Sequence, residues 1–318
     1  IKFLNKNKMT IYVAYHYSCP DGIFGCLATY LYFESNVVYL PHSTYSELML
    51  PETNKEDILY LIDYSGNNSF ILNNAHKFSK IILLDHHKTA LEMIENYKIN
   101  GLLPTNLEIV FDINKSGAVI AWDYFSSKKE LIKNSIIKDK VLINFNYIQD
   151  NDLWKHVLPY SKEFSIGLGD LNLEYDVNKN PNIFKILLNL ETNDLIERGK
   201  IISHENNIKI ENDLRESFTV EISNGEHNVN FLAVFSTHAN LRSELGNRLA
   251  NKSQKEGKLG IGAVCYYHDD NDKSKIKVSL RSLKDFDTTK ISQNYGGGGH
   301  KCASSFIIDS TIFESFKR

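Results

Sequence analysis

A carboxylate and two imidazoles directly follow an apolar run in the first third of the sequence. Residues 81–84 read Ile-Ile-Leu-Leu, and Asp85, His86 and His87 come next. Such a run predicts a strand of a parallel sheet that is buried on both faces. Because ligands lie beyond the carboxyl ends of such strands, we expect these three side chains at one edge of a sheet. A carboxylate beside imidazoles suits a divalent cation such as Mn²⁺.

Two further apolar runs end in the same residue types. Residues 11–15 lead to His16 and then to Asp21, and residues 58–62 lead to Asp63. A single Asp after a strand is more often a helix cap than a metal ligand. Three such ends in one half of the chain make capping alone a poor explanation, so we predict that these side chains meet.

Together these residues are typical of a centre that holds two divalent cations and activates water for attack on phosphorus. Asp63, on the middle of the three strands that carry these residues, is the predicted bridging ligand. The other predicted metal ligands are His16 for the first cation and Asp21, His86 and Asp150 for the second.

Two residues of the centre are predicted to be catalytic rather than ligating. His87 is expected to face the substrate as an acid or a phosphate contact, and Asp85 to orient a neighbouring imidazole. Asp150 and Asp152 bracket the predicted start of a new segment, so capping a helix remains the alternative for either.

A second constellation lies in a glycine-rich stretch near residue 300. Four glycines, Gly296 to Gly299, precede His300, and Arg281 lies upstream. Glycines let backbone N–H groups surround an anion, and an Arg can hold a phosphate with two hydrogen bonds. A flexible turn beside an ordinary surface Arg is the alternative. The predicted substrate-binding residues are Arg281, Ser282, Gly297, Gly298, Gly299, His300 and His238.

Strands and helices alternate up to about residue 125, which predicts a parallel sheet with right-handed crossovers. A helix is expected at 129–148, and a long amphipathic helix at 191–216. From residue 218 hairpins dominate, and 302–308 reads as a helix start or a strand. The predicted fold class is α/β, with a metal-binding parallel-sheet domain (1–190), a connecting helix (191–216) and a smaller mixed α/β domain (217–318).

The composition limits the class of protein. With 42% hydrophobic and 24% charged residues, the 318-residue chain is of the globular type. A net charge of −3 argues against a module that grips long duplexes by charge alone. No run is long enough to span a membrane, and four cysteines without metal or disulfide spacing favour a reducing, cytoplasmic location, with organelle or nucleus still open.

The motifs, taken in order, resemble those of the DHH phosphoesterase family with its GGGH-type DHH-associated domain. The resemblance rests on His16 to Gly22, Asp63, Asp85-His86-His87, Asp150 and Gly297 to His300, and spans residues 11–308. It implies a RecJ-like catalytic domain, a smaller substrate-binding domain, Mn²⁺ or Mg²⁺ as the cofactor, and a short oligonucleotide or a nucleotide as the substrate. Relatives include exonucleases, nanoRNase/pAp phosphatases and cyclic-dinucleotide phosphodiesterases.

One position departs from the family pattern. The first motif usually offers two Asp separated by one residue, and here Cys19 stands in place of the first. A thiolate is softer than the ligands that Mn²⁺ and Mg²⁺ prefer. The departure leaves open a weak first site, a different metal, or filling only with substrate.

Two hypotheses of function follow. The first is a metal-dependent phosphoesterase that acts on short oligonucleotides or small nucleotides. The second is a catalytically impaired relative that binds nucleic acid or serves as a scaffold, for which Cys19 is the supporting feature. The sequence does not decide between a monomer and a homodimer.

Overall fold

The computed structural model of the chain describes residues 9–43, 48–67, 69–269, 271–283 and 286–318. The chain divides into two compact units, Ile1–Ile202 and Ser203–Arg318. The α/β class is confirmed, with a parallel sheet in the first unit and a mixed sheet in the second. Among the described residues, no helix combines the length and the apolar character needed to cross a membrane.

The first unit contains five parallel strands. They are β1 (Ile11–His16), β2 (Val37–His42), β3 (Ile58–Ile62), β4 (Lys80–Asp85) and β5 (Leu107–Phe111). The spatial order is β2-β1-β3-β4-β5. The chain leaves β1 toward β2 on one side and then returns to place β3 on the other. The order therefore reverses between β1 and β3, and a ligand site is expected beyond the carboxyl ends of these two strands.

Within the described residues of the first unit, seven α-helices accompany this sheet and precede residue 192. They are α1 (Pro20–Phe33), α2 (Phe70–Asn74), α3 (Lys88–Ile99), α4 (Gly117–Ser126), α5 (Ser135–Asp152), α6 (Ser161–Asp170) and α7 (Ile183–Leu188). Alternate residues of each strand face opposite ways, and both faces are apolar. Val13 and Leu84 pack on the side of α1 and α4, whereas Ala14 and Leu83 pack on the side of α2 and α3. Burial on both faces explains why the strands appear as continuous apolar runs in the sequence.

The long helix α8 (Thr192–Arg215) runs across the division between the two units. Its first turns bury Leu195 and Ile196 in the core of the first unit, and Ile210 lies in the core of the second. The predicted domain limits at 190 and 216 stay predictions, because the contact-based division falls inside this helix.

The second unit is built on six strands in the order β10-β11-β9-β8-β7-β6, of which only β7 and β8 are parallel. The strands are β6 (Phe218–Ser223), β7 (Asn228–Phe235), β8 (Ile261–Asp269), β9 (Asp272–Ser282), β10 (Gly298–His300) and β11 (Ala303–Asp309). One face is covered by α9 (Arg242–Lys255), and the other by α10 (Thr289–Asn294) and α11 (Ser310–Glu314).

Two element predictions are corrected. The helix expected at 129–148 begins at Ser135, because the side chain of Asn134 caps it by accepting a hydrogen bond from the Ile137 N–H at 3.1 Å. It continues to Asp152, so Asp150 and Asp152 belong to its last turn and do not open a new segment. Residues 302–308, left open between helix and strand, form most of β11.

Candidate metal centre

Asp63 lies at the point where the strand order reverses, directly after β3. Its carboxylate is buried, with 2% of the residue exposed, and its two oxygens contact different imidazoles. Asp63 Oδ2 is 3.3 Å from His16 Nδ1, and Oδ1 is 3.2 Å from His86 Nε2. A carboxylate that presents one oxygen to each side has the geometry of a bridging ligand.

Asp85 organises the two histidines that follow β4. Its Oδ1 accepts hydrogen bonds from the backbone N–H groups of His86 at 2.7 Å and His87 at 3.0 Å, and from His87 Nδ1 at 2.8 Å. Its Oδ2 is buried and lacks a hydrogen-bond partner among the described residues. The contacts orient the His87 ring, whose side chain is 47% exposed, and the catalytic roles of Asp85 and His87 stay predictions.

Asp21, in the first turn of α1, is fully buried beneath the centre. It accepts hydrogen bonds from the N–H groups of Gly117 at 2.6 Å and Ala118 at 3.1 Å, at the start of α4. Asp21 Oδ2 is 3.8 Å from His86 Nε2. A Cβ at Gly117 would lie 2.6 Å from Asp63 Cβ, so only glycine lets this helix end approach so closely.

The start of α4 is thus a part of the centre that sequence reasoning missed. The available signal was Ser116, a helix-capping residue that precedes a glycine. A helix N-terminus of this kind stabilises a nearby carboxylate.

The structure brings Asp152, not the predicted ligand Asp150, to the centre. Asp152 Oδ2 is 3.4 Å from His86 Nε2 and lacks a hydrogen-bond partner within the described part of the chain. The carboxylate of Asp150 instead accepts hydrogen bonds from the N–H groups of Val157 at 3.0 Å and Leu158 at 3.2 Å. Asp150 therefore stabilises the turn after α5, which is close to the capping role that sequence analysis left open.

The donors fall into three overlapping sets, in each of which one ligand atom per residue lies within 4.8 Å of the others. The sets are Asp63, Asp85, His86 and His87; His16, Cys19 and Asp63; and Asp21, His86 and Asp152. Four of the five predicted ligands are thereby brought together, and Cys19 and Asp152 join them.

Crowded buried carboxylates dominate the electrostatics of the centre. Burial, followed by repulsion from Asp63, raises the pKa of Asp21 and that of Asp152. Burial would also raise the pKa of Asp63, but hydrogen bonds from His16 and His86 outweigh it and lower that pKa.

The histidines respond to these carboxylates. The hydrogen bond to Asp85 raises the pKa of His87 to about 9. Burial opposes a charge on His86, but its contact with Asp63 prevails and raises the His86 pKa. The carboxylates lie close together, and two of their buried oxygens lack a hydrogen-bond partner among the described residues. Such an arrangement fits a divalent cation, and its oxygen and nitrogen donors are ones that Mn²⁺ accepts.

In the second unit, Arg281 and His300 lie on neighbouring strands. Ala303 of β11 pairs with Arg281 of β9 on one side and with His300 of β10 on the other. Residues in register point to the same face, so both predicted side chains share one face of the sheet. Arg281 Nη2 donates to Ser243 Oγ at 2.9 Å, at the start of α9.

Ser282, also predicted to bind substrate, points the other way. It is 7% exposed, and its hydroxyl donates to the Phe286 carbonyl at 2.7 Å. Neighbouring residues of a strand face opposite sides, so Ser282 cannot share the face of Arg281. The hydrogen bond gives Ser282 a structural role in the turn after β9.

The glycines and His238 occupy distinct places. Gly298 and Gly299 lie with His300 on β10, an exposed edge strand, and Gly297 precedes it. His238 lies before α9, where its Nδ1 is 3.0 Å from Asp213 Oδ2. Ser236 Oγ donates to the same oxygen at 2.6 Å, so Asp213 fixes the orientation of the imidazole. The substrate-binding roles of these residues stay predictions.

Comparison with known proteins finds one matching domain family and several relatives that this chain resembles. Residues 228–317 match the DHHA1 domain. The chain is 26% identical over 321 residues to the uncharacterized protein R106 of Acanthamoeba polyphaga mimivirus, an alignment that covers 96% of this chain and 68% of the relative. It is 28% identical over 279 residues to the oligoribonuclease NrnB of Bacillus subtilis, covering 83% of this chain and 63% of the relative.

Among solved structures, the pGpG-specific phosphodiesterase PggH of Vibrio cholerae aligns with 96% of this chain and 95% of its own, with a TM-score of 0.51 and 13% identity. At that identity the likeness bears on the fold alone. The DHHA1 match and the oligoribonuclease alignment, which extends into both units, bear on the family. Together with the Asp85-His86-His87 cluster, they confirm the resemblance drawn from the sequence: the chain is similar to DHH-family phosphoesterases, and residues 228–317 of its second unit match the DHHA1 domain.

Proposed function

We propose that this chain hydrolyses phosphate ester bonds in short oligonucleotides or small nucleotides with the help of bound Mn²⁺ or Mg²⁺. The observation that carries the proposal is Asp63, whose two oxygens face His16 on one side and His86 on the other. A relative named oligoribonuclease and a structural neighbour named pGpG-specific phosphodiesterase support this substrate class.

Two groups of side chains would hold the cations. His16 and Asp63 form one side, and Asp21, His86 and Asp152 the other, with Asp63 shared between them. Bound there, divalent cations lower the pKa of water and neutralise charge that develops on the phosphoryl oxygens. The N–H groups at the start of α4 keep the Asp21 carboxylate in place.

His87 is the proposed proton donor to the substrate. It lines a cavity of about 250 Å³ together with His16, Asp63 and Tyr64. Because His87 Nδ1 is bonded to Asp85, the other ring nitrogen is left to contact a phosphate oxygen or the leaving oxygen. A proton delivered from that nitrogen would stabilise the departing alkoxide.

In the second unit, Arg281 and His300 are the proposed contacts to a substrate phosphate. Both lie on one face of the sheet, and a guanidinium can bind phosphate with two hydrogen bonds. The exposed edge strand β10 adds those backbone N–H groups that point away from β11, which a phosphate can approach because Gly298 and Gly299 carry no side chain.

A second candidate function, a binding protein without turnover, rests on Cys19 in place of the Asp usual in the family. Against it, His16, Asp21, Asp63, His86 and Asp152 still converge. A turnover assay with a defined panel separates the two functions.

The panel contains bis-p-nitrophenyl phosphate, an RNA of two to five nucleotides, pAp, a cyclic dinucleotide and pyrophosphate, each with Mn²⁺ and with Mg²⁺. We expect metal-dependent release from at least one nucleotide substrate and none in the Asp63→Asn variant. If the wild-type chain hydrolyses none of these substrates and binds less than one cation per chain, the second candidate function, a binding protein without turnover, would be favoured.

A further inference from the structure

Cys19 is the one donor of the centre to which the proposed function assigns no role. It precedes α1, with extended backbone angles (φ −119°, ψ 134°), and its side chain does not cap the helix. Its sulfur lies within 4.8 Å of donor atoms of His16 and Asp63. A residue that merely filled space at this position would not need to face an imidazole and a carboxylate.

Cys19 borders open space beside the metal centre. Cys19 lines a cavity of about 180 Å³ together with Asp21 and Asp152, so it is not sealed in the core like Cys26. The buried oxygens of Asp85 and Asp152 that lack partners in the described structure are independent signs that the centre binds a cation. Cys19 thus borders one cavity of the centre, and its neighbours His16 and Asp63 border another, of about 250 Å³.

The two ends of the centre differ in chemistry. Asp21, His86 and Asp152 supply two oxygens and one nitrogen, which suit Mn²⁺ or Mg²⁺. His16, Cys19 and Asp63 supply nitrogen, sulfur and oxygen, a set that Zn²⁺ accepts and that hard cations disfavour. Cations that bind thiolates displace the thiol proton themselves, so a protonated thiol is no barrier.

We propose that His16, Cys19 and Asp63 form a site for a thiophilic divalent cation such as Zn²⁺, beside an oxygen-rich site that takes Mn²⁺ or Mg²⁺. The inference rests on the metal centre of the proposed function. It adds that the two sites of this centre prefer different cations, one thiophilic and one oxygen-binding. Asp63 would be shared by the two, through one oxygen on each side.

Cobalt(II) is the probe for sulfur ligation, because a cobalt–thiolate bond produces a charge-transfer band in the near ultraviolet. The metal-free, reduced full-length chain is titrated with Co²⁺, and bound cobalt is counted by equilibrium dialysis. We expect the band to saturate at one equivalent in the wild type. Zn²⁺ should then abolish it, whereas the same concentration of Mn²⁺ should leave it unchanged.

Three variants make the test specific. Cys19→Ser and Cys19→Asp should lose the band while still binding cobalt at the other site, and Cys302→Ser, a partly exposed cysteine of the second unit, should keep it. The loss of a ligand in Cys19→Ser should weaken Zn²⁺ binding by at least the ~10–100-fold seen for supporting residues. Equal melting temperatures of the metal-free proteins exclude misfolding.

A band that persists in Cys19→Ser, or cobalt bound to the wild type without a band, would overturn the inference. The substrate panel is run on the same preparations. Hydrolysis without the cobalt–thiolate band would support the proposed function and contradict the thiophilic site. The band without hydrolysis would support the thiophilic site and contradict the proposed function.

Discussion

Asp63 has a backbone conformation that few residues tolerate. Its φ of +53° lies in the left-handed region, where Asp and Asn are among the few non-glycine residues found. Asn is therefore the appropriate substitution for a test of chemistry, because Ala would add backbone strain to the loss of the carboxylate. The Asp63 N–H also donates to the Leu84 carbonyl at 2.9 Å, which the variant retains.

Asp63→Asn is expected to lose turnover by more than ~100-fold, beyond the largest usual effect of a residue that only supports a ligand. The reason is that one substitution weakens both halves of the centre. Metal content by equilibrium dialysis and rates on the most active substrate are the measurements. Wild-type stoichiometry in this variant would contradict a shared ligand.

Asp150 and Asp152 provide a matched pair, since they are two residues apart on one helix. Asp152→Asn should reduce metal binding and turnover with little change in stability. Asp150→Asn should leave metal stoichiometry unchanged and lower the free energy of unfolding by about 1–2 kcal/mol, because it weakens charged hydrogen bonds to Val157 and Leu158. Urea unfolding measures the stability of both variants, and equilibrium dialysis measures their metal content. Loss of metal in Asp150→Asn together with loss of stability in Asp152→Asn would mean that Asp150 is the ligand.

The choice between these two acids illustrates what the sequence could supply. Residues two apart on a helix point about 200° apart, so only one of the two can face the metal centre. Val141, Phe145 and Ile148 lie along one buried face of α5, and Asp152 continues that face at the next i+4 position, whereas Asp150 is buried on the opposite side of the helix. The helical periodicity of these residues can be seen in the sequence. Because the helix was predicted to end at residue 148, however, both acids fell outside the predicted helix.

At the scale of elements, the strands were the most predictable part of the molecule. β1, β3 and β4 coincide with the predicted apolar runs at 11–15, 58–62 and 81–84, because a strand buried on both faces must be apolar. Their carboxyl ends therefore located His16, Asp63 and the Asp85 cluster. The start of α4 was not recognised, because its role depends on backbone N–H groups that any residue type supplies.

Ser282 shows the same limit in the second unit. Its neighbour Arg281 lies on the face of the sheet that α9 covers, and strand alternation alone places Ser282 on the opposite face with Leu280. Adjacent polar residues of a strand, such as Arg281 and Ser282, lie on opposite faces and therefore do not form one motif.

Strand β10 permits a test of the glycine motif with two adjacent substitutions. A Cβ at Gly298 would meet nothing within 4 Å, whereas one at Gly297 would lie 2.1 Å from the Ser305 carbonyl oxygen. Gly298→Ala should therefore change the free energy of unfolding by less than about 0.5 kcal/mol. Gly297→Ala should cost about 1–3 kcal/mol through overpacking.

If backbone N–H groups of β10 bind a phosphate, the methyl group of Gly298→Ala should also raise KM. We expect KM to rise about tenfold, which is the equivalent of losing one charge-assisted hydrogen bond. The value of kcat should change little. Steady-state kinetics on the preferred nucleotide measure it. An unchanged KM in this stable variant would remove the glycines from the substrate site.

At the scale of the whole molecule, two units and a long helix were expected from the change in pattern near residue 218, where crossovers give way to hairpins. α8 was predicted within one residue at either end, because a 24-residue amphipathic run has few alternative structures. The limits of the domains were harder to predict from the sequence. The two ends of α8 make contacts in different units, so the contact-based division falls inside this helix.

The placement of the tryptophans allows the first unit to be observed separately. Both tryptophans of the chain, Trp122 and Trp154, belong to it, so tryptophan fluorescence reports its unfolding. Mn²⁺ at 100 times its dissociation constant should stabilise this unit by about 2.7 kcal/mol. For a unit of this size, that corresponds to a rise of about 5–10 °C in Tm.

The measurement is a fluorescence melt of the metal-free chain with and without Mn²⁺. Asp63→Asn should show a much smaller shift, and Asp150→Asn should melt lower yet shift as much as the wild type, because its substitution lies outside the metal centre. A shift of equal size in Asp63→Asn would mean that Mn²⁺ stabilises the unit from another site. No shift in the wild type would mean that the converging carboxylates and imidazoles do not bind Mn²⁺ at the concentrations used.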